Sequence, residues 1–148
     1  MLDKNAVGRS TPPMLNEVEK GAIRRFAESL GDYNPIYYDE DYARASGFLD
    51  IVAPPTFPVS FNTGSDLREM LGVPLRNLLA AELSIEYERP IVAGDKVLVT
   101  SRVAEVNERP SATGKIEVAV LEDEGRDEDG KLVYRLRRSL LVRGGKEG

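Results

Sequence analysis

The 148-residue sequence has no cysteine and no histidine. Without cysteine it can form no disulfide, present no thiolate nucleophile and build no Cys-ligated zinc site. Without histidine it lacks the usual base of neutral-pH catalysis and the commonest metal ligand. Any acid–base chemistry falls to Asp, Glu, Tyr, Lys or a terminus, and neither a metal nor another cofactor is expected. Positive charge is also in short supply. Twenty Lys and Arg face 25 Asp and Glu, for a net charge of -5 and a pI near 4.9. A nucleic-acid binder would show the opposite balance. No apolar run approaches the roughly 20 residues that span a bilayer. The opening "MLDKNAVGRSTPP" has no apolar stretch of the kind a secretory signal carries. A cytoplasmic protein with neither nucleic acid nor membrane as partner is the expectation.

What is present suffices for a packed core: 41% of residues are hydrophobic, in a length that predicts one domain over residues 1–148. Residues 1–15 are weakly patterned and suit a short edge strand or an arm. A helix is expected next, with Asn16 as its N-cap and Glu19 three residues on. Val18, Ala22, Ile23, Phe26, Ala27 and Leu30 form one apolar stripe, and Gly31 is the stop. Asp39–Ser46 reads as a second short helix capped by Asp39. In "IVAPPTFPVSF", Pro54, Pro55 and Pro58 exclude a central strand. Phe57–Leu71 then reads as a helix ended by Gly72, with Phe61, Leu67, Met70 and Leu71 toward a core.

The second half reads as sheet. Leu83, Ile85 and Tyr87 alternate with polar residues, which predicts a half-buried strand over Leu83–Ile91. Ala93–Asp95 is a turn. Strands follow at Val97–Val106, Lys115–Leu121 and Leu132–Val142. Helices first and an antiparallel meander after them define an α+β class. The last two strands are joined by "EDEGRDEDG", residues 122–130. From Asp123 this stretch puts Gly at position 3, Glu at 6 and Tyr at 12, so it fails the calcium-loop pattern and reads as a solvated hairpin tip. Arg135, Arg137, Arg138 and Arg143 could meet a phosphate. More commonly such strand arginines face outward and pair with acids such as Glu86 and Glu88.

One stretch, "GDYNPIYYDE", holds an acid, an amide, a proline and three tyrosines. Taken alone it is a helix stop followed by capping turns. Together with "IVAPPTF" and "YERPIVAGDKV" it resembles the MaoC-like dehydratase family, in its N-terminal-domain or FAS1-type branch. The likeness runs over roughly residues 15–142. It implies a hot-dog fold, a curved antiparallel sheet wrapped around a central helix, and a lineage of (R)-specific enoyl-thioester hydratases. In active members a D-x-N-P-x-H motif holds the water, and a later His-Gly pair starts the central helix and supplies an oxyanion donor.

Residue by residue the match divides. Asp32, Asn34 and Pro35 fit, whereas the histidine position is Tyr37. The His-Gly pair falls on Pro54 and Pro55, and proline has no N–H to donate. A tyrosine, with an ordinary pKa of about 10, is a poor base at neutral pH. Losing one oxyanion donor alone costs on the order of 10²–10³ in rate. The resemblance therefore implies a retained acyl pocket without its own chemistry. That suits the non-catalytic subunit of a heteromeric enoyl-CoA or enoyl-ACP hydratase, paired with a catalytic MaoC-like subunit. A self-sufficient hydratase or thioesterase using Asp32, or else Glu40 or Asp39, with Tyr37, and a non-enzymatic acyl-thioester-binding module, are the alternatives. Asn34, Tyr38, Pro54, Pro55, Thr56 and Phe57 are the candidate substrate-binding residues. Phe48 and Phe61 would join Tyr37, Tyr38 and Phe57 in shaping an acyl tunnel. An acyl-CoA or acyl-ACP thioester is the expected ligand, and a homodimer or heterodimer the expected assembly.

Overall fold

A computed structural model describes residues 2–64, 66–112 and 114–142, apart from the side chains of Leu67 and Arg68. Five strands form one antiparallel sheet: β1 (Met14–Glu17), β2 (Leu78–Tyr87), β3 (Lys96–Ser111), β4 (Gly114–Arg126) and β5 (Leu132–Val142). Their order is β1-β3-β4-β5-β2, so β1 and β2 are the edges. Helices α1 (Lys20–Leu30), α2 (Glu40–Ala45) and α3 (Leu67–Leu71) precede the meander, with 3-10 turns at Pro35–Tyr37 and Phe57–Ser60. This is the expected α+β, hot-dog arrangement of a curved sheet with helical segments against one face.

The sheet follows from alternation. Val97, Val99, Ser101 and Val103 on β3 are all buried, and their neighbours between are more open. Cross-strand register carries this face across β4 through Leu121, Asp123 and Gly125 and across β5 through Tyr134, Leu136 and Arg138. Against it lies the apolar stripe of α1, with Ile23 and Ala27 fully buried. Removing an Ile side chain from water is worth about 1.5–3 kcal/mol. The helix stops where Gly31 turns left-handed at φ 67 and sends its N–H back to the Ala27 and Glu28 carbonyls. That conformation costs any residue with a Cβ. Asp39 caps α2 as its position predicts, accepting from the Asp41 and Tyr42 amides.

Several expectations are corrected. Asn16 is no N-cap: it lies in β1 opposite Val97, and its amide exchanges two hydrogen bonds with the Asn62 backbone at 2.7 and 2.8 Å. Pairing with β3 outcompetes the cap. The helix begins at Lys20, with Glu19 at the N-cap position and no side-chain cap. The single helix over Phe57–Leu71 is instead a 3-10 turn, a non-helical stretch at Phe61–Gly64 and the short α3. Met70 and Leu71 reach the core as expected, while the Leu67 side chain lies outside the described residues. The strand placed at Leu83–Ile91 starts at Leu78 and stops at Tyr87, before Pro90. It is mostly exposed, because it is an edge. β4 runs through Arg126, so Glu122–Arg126 is strand and not hairpin tip; the turn is confined to 127–131.

The arginines also differ from expectation. Arg135 pairs with Glu124, and Arg137 with Glu122 and Glu105. Arg138 points to the buried Asp123 at 3.2 Å. These pairs use acids of β3 and β4 rather than Glu86 or Glu88; Arg143 lies outside the described residues.

Most of the buried apolar residues fall into two clusters. One gathers Ile23, Phe57, Ile91, Val97 and Tyr134 under α1. The other gathers Leu2, Leu71, Val103, Leu121 and Leu140 under α3.

Candidate functional site

The stretch after α1 is built almost wholly from side chains satisfying nearby backbone. The Asp32 carboxylate accepts from the Asn34 amide at 3.1 Å. The Asn34 side chain accepts from the Ile36 amide at 3.2 Å and so caps the 3-10 turn opened by Pro35. The Tyr38 hydroxyl donates to the Asp32 carbonyl at 2.8 Å, and its ring stacks on Tyr33 with centroids 6.3 Å apart. Asp32 and Asn34 are exposed, whereas Tyr37 is 7% exposed and belongs to the core. Burial, and behind it the Asp32 charge, push the Tyr37 phenol above its usual pKa. It therefore holds its proton more tightly than a free tyrosine and is a still poorer base.

Tyr37 forms one wall of an open, mainly apolar cleft of about 430 Å³. Ile36, Phe48, Val52, Ala53 and Pro55 line it from the helical side, Tyr87 from β2 and Ile91 from the loop after it. The "IVAPP" segment is held there by backbone bonds from Val52 to Ile36 and from Ala53 to Ile91. The Tyr87 hydroxyl donates to the Pro55 carbonyl. Burial pushes the Tyr87 phenol up to about 12, so this donor stays protonated at any ordinary pH. Behind the cleft an aromatic series runs from α1 to the sheet. Phe26 to Phe57 and Phe57 to Phe61 are each 5.4 Å between centroids, Phe61 to Tyr134 6.1 Å, and Tyr134 to Tyr87 6.2 Å.

Of the candidate residues, Tyr37 and Pro55 meet in the cleft lining, together with Phe48. Phe57 and Phe61 stand in the aromatic series behind it. Asp32, Asn34, Tyr38, Pro54 and Thr56 are not in the lining. The Pro54 carbonyl accepts the Phe57 amide, and Thr56 is exposed at the start of the Phe57 turn without capping it. Sequence reasoning missed Tyr87, Glu88 and Arg89. The last two sit in "YERPIVAGD", where Arg89 pairs with Asp95 at 2.8 Å and Asp95 accepts the Val92 amide. Glu88 is the one carboxylate residue in the lining. An apolar cleft with a protonated phenol, no histidine and no N–H at Pro54 or Pro55 can hold a hydrocarbon chain.

Fold and cleft define a MaoC-like hot-dog protein. The family model for the FAS1-like dehydratase domain region matches residues 5–136, and the chain belongs to that family. It is 36% identical over 152 residues to a "UPF0336 protein" of Streptomyces avermitilis, with 99% of each chain covered. A "UPF0336 protein" of Streptomyces griseus subsp. griseus is 36% identical over 151 residues, covering 99% of this chain and 98% of its own. Among solved structures, a "MaoC-like dehydratase" superposes with a TM-score of 0.84 at 24% identity over 97% of this chain. This chain spans 44% of that protein's length. The C-terminally truncated HadBC (3R-hydroxyacyl-ACP dehydratase) complex of Mycobacterium tuberculosis gives 0.78 at 21% identity, covering 92% of this chain and 96% of that one. The ChsH1-ChsH2 complex of the same organism gives 0.73 at 23%, covering 97% and 89%. These structural likenesses show the fold.

Proposed function

We propose that this chain is the non-catalytic, pocket-shaping subunit of a heteromeric (R)-specific enoyl-CoA or enoyl-ACP hydratase. In that assembly a MaoC-like partner supplies the Asp and His that add water. The observation that carries this reading is the division within the D-x-N-P loop. Asp32 faces solvent and caps Asn34, while the residue in the histidine position, Tyr37, is buried in the cleft wall with its proton held. The scaffold of the loop remains and its chemistry does not. Edge strand β2 supports a paired state, with Leu79, Leu83 and Tyr87 at 39%, 45% and 37% exposure. An open edge with apolar side chains favours a neighbouring strand. Two of the similar structures are themselves named as two-component complexes.

Co-expression with a MaoC-like chain that has an intact D-x-N-P-x-H motif tests the proposal. The complex should hydrate crotonyl-CoA or a longer enoyl-CoA faster than the partner alone, or with a shifted chain-length preference. Asp32→Asn should leave that activity within about twofold, because a cap is worth only ~1 kcal/mol of stability and touches no substrate. A complex no different from the partner alone sinks the reading. The apolar cleft also favours a second one, an acyl-thioester-binding module with no partner enzyme, which calorimetry with an acyl-CoA and the isolated chain would detect. A self-sufficient enzyme is less well supported, since Asp32 lies outside the cleft lining. Its carboxylate would have to be Glu88, and Glu88→Gln should then abolish turnover by the isolated chain.

A further inference from the structure

Between the two apolar clusters the inner face of the sheet carries a row of polar side chains. Ser101 and Asp123 face each other across β3 and β4. Tyr134 and Arg138 sit on β5 at the two diagonals from Asp123, on either side of its partner Leu136. Diagonal neighbours on one face lie close enough for long side chains to meet. Ser101, Asp123 and Tyr134 are 0%, 2% and 0% exposed. One Arg138 nitrogen reaches Asp123 Oδ2 at 3.2 Å. Four further atoms, Ser101 Oγ, Asp123 Oδ1, Tyr134 Oη and Arg138 Nε, are buried without a hydrogen-bond partner. Burial pushes the Asp123 carboxyl above its usual pKa, against the opposing pull of Arg138 and then of Ser101; the Ser101 hydroxyl makes no bond of acceptable geometry. Buried polar atoms are almost always paired, and leaving one unpaired is costly to the fold. Four in one layer leave hydrogen-bonding capacity that a guest oxygen can take up.

The chemistry of the layer narrows that guest. The carboxylate and the guanidinium neutralise each other, so an ion would bring an uncompensated charge into the core. Asp123 Oδ1 in its charged form can only accept and Arg138 Nε can only donate. One neutral group that does both, an alcohol hydroxyl, serves them together. Apolar clusters lie on both sides, so the remainder of the ligand is hydrocarbon. The layer also adjoins the cleft, because the Tyr134 ring packs against Tyr87, which lines it. Toward the sheet edge, Arg138 is paired across the ladder with the half-open Leu83.

We propose that Ser101, Asp123, Tyr134 and Arg138 bind the hydroxyl of an oxygenated acyl chain, at a point along the chain remote from the thioester. This rests on the acyl-thioester reading of the cleft. It adds that the protein selects chains bearing a hydroxyl over plain ones.

The test is calorimetric titration of the intact chain with a matched pair, a saturated long-chain acyl-CoA and the same chain hydroxylated near its middle. The hydroxylated ligand should bind about tenfold more tightly, the worth of one hydrogen bond to charged groups. Tyr134→Phe and Ser101→Ala remove only atoms that lack partners, so both variants should fold. Each should shrink the preference several-fold and leave binding of the plain chain unchanged. Equal binding of the two ligands overturns the inference, leaves the acyl pocket standing and assigns the layer to ordered water. Binding of neither overturns the inference together with the reading of this chain as an acyl-thioester-binding module on its own. A preference that survives in both variants places the hydroxyl elsewhere and also overturns it.

Discussion

At the position where the resemblance puts a histidine stands a tyrosine that titrates in the wrong direction for a base. Tyr37, Tyr87 and Tyr134 are all raised, in each case chiefly by burial, with the Asp123 charge next for Tyr134. A phenol whose folded pKa exceeds its unfolded value of about 10 contributes stability that is complete below that pH. It is lost as the pH climbs through the folded value, about 12 for Tyr87. Phenolate absorbance should therefore show these three rings ionising late and together with loss of near-ultraviolet circular dichroism. Tyr87→Phe should flatten the decline of melting temperature above about pH 10. All six tyrosines ionising near pH 10 in an intact fold would contradict the burial argument.

Among the elements, β4 repays most attention because its second half hides in an acidic run. Gly125 faces Tyr134 across the ladder, and a Cβ there would lie 2.1 Å from the tyrosine ring. The ring lies over bare backbone, so Gly125→Ala should displace it and cost about 1–3 kcal/mol in urea unfolding. The loss should shrink in a Tyr134→Ala background, where nothing remains to displace. Local rules made much of the fold legible: β5 occupies Leu132–Val142, Gly31 ends α1 and Asp39 caps α2. They failed where a distant partner decides. Asn16 was claimed by a strand some 80 residues on, and Asp123 was hidden because Glu122, Asp123 and Glu124 resemble a solvated tip until Arg138 is folded against them. The same holds for the cleft. The D-x-N-P loop is contiguous and readable, while Tyr87 joins it only through the sheet.

At the scale of the whole molecule, the visible ion pairs explain little of the stability. Lys20, Glu40, Arg44 and Asp50 knit α1, α2 and the loop after it together, but exposed pairs are worth about 0–1 kcal/mol each. The apolar clusters dominate, and the polar layer parts them. Mutational costs in different clusters should therefore add. Ile23→Val, at about 0.5–1.5 kcal/mol, and Leu121→Ala, at about 2–5 kcal/mol, should sum within about 0.5 kcal/mol in the double variant. Ile23→Val with Phe57→Leu, inside one cluster, should not. If that holds, the row of Ser101, Asp123, Tyr134 and Arg138 acts as a firebreak in sequence space. Drift in one half of the interior needs no compensating change in the other, so the walls of the cleft can diversify while the cluster under α3 stays fixed.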